Sequence, residues 1–143
     1  MLFNQNREQM RQYYIDVWNK HQAKTPLTPL ETIIADVVSI HPEYHKELLD
    51  PDSTLDKDYH SETQTNPFLH MGLHIGLREQ VQANHPMGIK DLFIKYMQQF
   101  QDPHKAEHEM IECLAQSLWE AQANNTPPSD SDYLTCLHLR LKT

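Results

Sequence analysis

Glycine is nearly missing from this chain, with three in 143 residues. A sheet-rich fold needs many tight turns, and glycine supplies the backbone conformations such turns require, so its scarcity argues against one. Aromatic residues make up only 8%, and no apolar run approaches the length of a membrane span. No cluster of basic residues occurs. The formal net charge is −8 with histidines neutral, and an anionic surface repels phosphate backbones, so the reading is no nucleic-acid partner and no membrane. The first residues, Met1-Leu2-Phe3-Asn4-Gln5-Asn6-Arg7, lack the apolar stretch of a secretory signal. A cytoplasmic setting is therefore expected, with the two cysteines, Cys113 and Cys136, as reduced thiols.

What the chain has is helical rhythm. Met10, Tyr14, Val17 and Trp18 make one stripe over about Asn6 to Lys20. Thr28-Pro29-Leu30-Glu31 combines a capping residue, a proline suited to the first helical position and the glutamate of a capping box. Ile33, Ile34, Val37 and Val38 follow as a buried face. Pro42 must break or kink this second helix near His41, after which Tyr44, Leu48 and Leu49 continue an apolar face. Residues Asp50 to Thr65 are polar and turn-rich and read as a long surface connection.

Asn66-Pro67 starts a third helix, apolar nearly all round from Phe68 to Leu77, the pattern of a central helix. Gly72 and Gly76 lie on its side away from His70, where they would let a neighbouring helix come close. A fourth helix runs from about Gly88 to Phe100, and Asp102-Pro103 opens a fifth with Ile111, Leu114, Ala115 and Leu118 inward. Trp18 and Trp119 are expected in the core. Beyond Pro127-Pro128, Ser129 and Asp132 resemble a capping box for a short last helix bearing Tyr133, Leu134 and Leu137. The expected fold is all-α: residues 1–143 as a single helical domain, a bundle of five or six helices.

Ten histidines are present, and six form three pairs four residues apart: His41/His45, His70/His74 and His104/His108. Random scattering would give about 0.7 matches to that template. On a helix, residues i and i+4 share a face, so each pair can offer two imidazoles to one point. Leu73, Leu77 and Val81 surround the second pair on the helical wheel, and Ile111, Ala115 and Leu118 lie below the third. These histidines therefore point inward, where a polar group needs a partner. If consecutive helices alternate in direction, all three pairs gather at one end of the bundle.

The expected metal ligands are His70, His74, His104 and His108, with His41 and His45 completing a second position or supporting the first. Glu107, on the same side as His104 and His108, is the candidate catalytic base or a further ligand. Imidazoles with one carboxylate suit a divalent transition metal: zinc, iron, nickel or manganese. His104-Lys105-Ala106-Glu107-His108 matches the His-x-x-Glu-His pattern of inverted zinc peptidases. Such enzymes need a far larger substrate framework than this chain provides. The Glu-x-x-His pairs of ferritin-like di-iron bundles do not occur. The competing reading is a non-catalytic bundle acting through a protein partner or as a homodimer, with its histidines hydrogen-bonded and no metal. His21, His60, His85 and His138 have no partner at ligand spacing and read as surface residues.

The run Asn66-Pro67-Phe68-Leu69-His70-Met71-Gly72-Leu73-His74, continuing to Leu77-Arg78-Glu79-Gln80, resembles the signature of a bacterial family known only as a domain of unknown function, number 1841. His41-Pro42-Glu43-Tyr44-His45, Ala106 to Leu114 and Leu118 to Gln122 resemble it too. The similarity spans nearly the whole chain. It implies a small bacterial protein that forms one unit, and it implies no particular activity.

Overall fold

The computed structural model describes residues 7–55 and 66–141. Among them there is no strand, and no helix is long and apolar enough to cross a membrane. Contacts along the chain gather into two units, Met1–Gly72 and Leu73–Thr143.

In the first unit, α1 (Arg7–Gln22) buries Tyr14, Ile15, Val17 and Trp18. Helix α2 (Pro29–Ser39) begins as its residues dictate: the Thr28 hydroxyl accepts from the Glu31 amide at 3.2 Å, and the Thr28 amide donates to the Glu31 carboxylate at 2.9 Å. Two of the otherwise orphaned donors at the helix start are thereby satisfied. The same carboxylate receives Lys20 Nζ at 2.9 Å and so ties α1 to α2. Pro42 has no N–H to extend α2, and the chain passes into a 3-10 turn over Pro42–Tyr44.

Two short helices follow, α3 (His45–Leu49) and α4 (Pro51–Thr54). They add to the five or six helices expected. Helix α4 falls inside the stretch expected to be a surface connection, where Pro51 supplies a first helical residue after Asp50; residues 56–65 of that stretch lie outside the described residues. Arg11 donates to the Thr54 carbonyl at the end of α4 at 2.8 Å and sits 5.0 Å above the Phe68 ring. Phe68 belongs to α5 (Pro67–Ala83), whose start is capped by the Asn66 side chain accepting from the Phe68 and Leu69 amides.

The second unit takes the rest of α5 together with α6 (Ile89–Phe100), α7 (Pro103–Asn124) and α8 (Asp130–Arg140). The turn before α6 contains a cis peptide at His85–Pro86, and Gly88 takes φ +101°, a value few other residues adopt. The Asp102 and Ser129 side chains cap α7 and α8, accepting from the His104 and Asp132 amides. Leu77, Leu92, Tyr96, Met110, Leu114 and Leu137 are buried together, and the Tyr96 hydroxyl donates to the Leu137 carbonyl at 2.6 Å.

Three expectations are corrected here. Cys113 and Cys136 are not free thiols: they form a disulfide between α7 and α8, with Cα atoms 5.8 Å apart. Asn125 at φ 53° and the prolines after it fold α8 back along α7, a meeting that no local pattern encodes. The expectation of two reduced thiols falls with it. Trp119 is 69% exposed and Leu118 37% exposed. Both lie in the outer half of α7, and their side chains reach solvent rather than the core.

The glycines of α5 meet side chains at ordinary contact distance. A Cβ on Gly76 would lie 4.0 Å from Leu114 Cδ2, and one on Gly72 3.5 Å from the Tyr14 hydroxyl. Gly76→Ala should accordingly stabilise the protein by up to about 1 kcal/mol, the helix-propensity difference. Gly88→Ala should destabilise it by about 1–2 kcal/mol, because a Cβ is strained at that φ. Urea unfolding of both variants checks the two signs. The disulfide closes a loop of sequence separation 23, and such a loop is worth about 3 kcal/mol of restricted unfolded-state entropy. Denaturant midpoints of the wild type and of the Cys113→Ala, Cys136→Ala double variant should differ accordingly, and coincident curves would refute the linkage.

Candidate metal centre

The site in the second unit is built from two helices. His74 stands in the middle of α5, and His104 and His108 stand one turn apart at the start of α7. Ring centroids are 5.4 Å apart for His74 and His104, 4.8 Å for His74 and His108, and 4.3 Å for His104 and His108. One ligand nitrogen from each lies within 4.8 Å of those of the other two. His74 is fully buried, while His104 and His108 are partly exposed.

Glu107 holds this arrangement in place. It is 5% exposed, and its carboxylate accepts from His74 Nδ1 at 2.9 Å, from Arg78 Nε at 2.8 Å and from Arg78 Nη2 at 3.2 Å. Burial alone would push the carboxyl up. The hydrogen bonds from His74 and Arg78, with the guanidinium charge, outweigh burial and hold it below its ordinary 4.5. An ionised Glu107 only accepts, so His74 Nδ1 carries the proton of that bond, and in a neutral ring Nε2 is the nitrogen with the lone pair. Metal-binding histidines commonly have this carboxylate partner, which orients the ring and raises its basicity.

The other expected site residues lie in the first unit. His41 is buried, and its Nδ1 lies 2.7 Å from the Val37 carbonyl. Its ring stacks on Tyr44 with centroids 5.5 Å apart and meets His70 edge-on at 5.1 Å. His45 Nε2 is 2.8 Å from the Val38 carbonyl, and its ring lies 4.7 Å from that of Trp18. His41 and His45 thus spend one nitrogen each on the last turn of α2. His21, His85 and His138 are exposed; His60 lies outside the described residues.

Sequence reasoning missed Arg78. It stands one turn beyond His74 on α5, so the two share a face, and that spacing was the available signal. Which carboxylate they would meet on another helix was not.

Residues 6–139 match the family described as Domain of unknown function (DUF1841), and the chain belongs to it. No curated protein and no solved structure matches the chain.

Since Glu107 has a lowered carboxyl value, its stabilisation is present above the unfolded-state value and fades as pH falls through the folded one. Glu107→Gln should cost about 2 kcal/mol near neutrality, the scale of hydrogen bonds to a charged group. The gap to wild type should shrink as pH drops below about 4.5. Denaturant unfolding at several pH values measures this, and a pH-independent gap would count against the charged triad.

Proposed function

We propose that this protein binds a divalent transition metal through His74, His104 and His108, with Glu107 orienting His74 and Arg78 keeping that carboxylate ionised. The observation that carries the reading is the approach of three imidazole nitrogens to within 4.8 Å of one another, one ring being held by a buried carboxylate. Around tetrahedral zinc, nitrogens at about 2.0–2.1 Å from the metal stand about 3.3 Å apart. Small side-chain rotations close the remaining gap. Three protein ligands leave at least one coordination position for water or another exogenous ligand, the pattern of catalytic rather than structural zinc sites.

In this reading Glu107 is a positioning residue in place of a base. Two partners already occupy its oxygens, and a general base needs a lone pair directed at its proton source. His41, His45 and His70 are not assigned as ligands. Zinc, iron(II), nickel and manganese all fit an imidazole donor set.

Metal bound to the folded chain alone raises its melting temperature by mass action. Wild type titrated with each of the four metals should gain several degrees with at least one. His74→Ala and His104→Ala should each lose most of that gain, and His138→Ala should keep it. Affinity should fall on acidification, since protonated imidazole cannot ligate. An unmoved wild-type melt with every metal would remove this proposal.

A second reading, a non-catalytic bundle that works through a partner or a second copy, draws on the exposure of Trp119 and Leu118 on α7. Tryptophan is enriched where proteins dock. Sedimentation of wild type and Trp119→Ala discriminates: a concentration-dependent oligomer lost in the variant favours a homodimer, and two identical monomer profiles exclude one.

A further inference from the structure

The charge balance of the centre constrains what it takes from solution. His74, His104 and His108 contribute no charge as neutral imidazole ligands. The carboxylate in contact with His74, Glu107, is matched by Arg78, with both oxygens engaged at 2.8–3.2 Å. A divalent cation there would keep its two positive charges uncompensated by the protein. In a partly desolvated site such a charge interacts far more strongly than in water. His104 and His108 also stand in the first two turns of α7, the end where the helix dipole is positive and which the Asp102 carboxylate caps at the His104 amide. Both residues are partly exposed, so the centre would lie close to solvent on that side.

We infer that the centre takes a small anion, a carboxylate or inorganic oxyanion, as an exogenous metal ligand, and that its substrate or effector belongs to that class. This rests on the metal reading above. Arg78 then has a second consequence beyond orienting Glu107: by cancelling the carboxylate charge it keeps the site attractive to anions. An aspartate or glutamate ligand would have cancelled one of the metal's two charges and weakened its pull on an anion. The imidazole-only set and the paired glutamate do the opposite.

Cobalt(II) provides the test, since its visible bands report both donor set and added ligands. Cobalt-loaded wild type should show bands that His104→Ala abolishes. Titration with azide, and separately with formate, should shift those bands and saturate in the millimolar range or below. Arg78→Gln should weaken azide binding about tenfold, through the restored negative charge nearby, and Arg78→Lys should recover most of it; far-UV circular dichroism verifies that both variants are folded. Histidine-dependent cobalt bands that neither anion moves would overturn the anion inference and leave the metal reading standing. Azide binding as tight in Arg78→Gln as in wild type would overturn the charge-balance argument. Absence of histidine-dependent bands would overturn both readings together.

Discussion

A carboxylate cannot be buried in a protein without partners, and Glu107 is buried. Removing an ionised group from water costs several kcal/mol unless hydrogen bonds and an opposite charge replace the lost hydration. Here they come from two residues one turn apart on α5, His74 and Arg78, reaching a single residue on α7. That requirement sets which faces of α5 and α7 meet. With α7 held in that rotation, His104 and His108, which flank Glu107, turn toward His74.

The apolar packing of the second unit works differently. Leu77, Met110 and Leu114 would tolerate small slips, because burial of apolar surface is non-directional. The Glu107 contacts do not tolerate them, since hydrogen bonds weaken steeply with angle and distance. Replacing one partner would leave a buried charge uncompensated, which is why such a triad makes a more exacting positional constraint than a stabilising contribution. A metal centre needs that kind of constraint, because ligand atoms must converge within a few tenths of an ångström.

Features that depend on a few neighbouring residues were readable from the chain itself. The capping box of Thr28 and Glu31, the break at Pro42 and the Asn66 and Ser129 caps all appear where the residue order places them. The histidine spacing was equally visible, and His104 with His108 does share a face. The reading faltered where a residue's surroundings depend on distant chain. Trp119 follows helical rhythm on α7 yet is exposed, since periodicity marks one face of a helix without saying what packs against it. The Cys113–Cys136 bridge likewise depends on where the turn after Asn125 returns α8.

The same division runs through the site. Local sequence determined that the chain is helical, where its longer helices begin, and which histidines sit one turn apart, since these follow from backbone geometry and side-chain period. It also determined the family, through motifs spread over residues 6–139. Tertiary structure alone decided that His74 meets His104 and His108 while His70, one turn earlier on the same helix, meets His41 and Tyr44. It decided too that Glu107 is spent on His74 and Arg78. The physical reason is that a helix period says which residues share a face, whereas the partner across that face is set by how separate helices pack, a relation no short stretch of sequence contains.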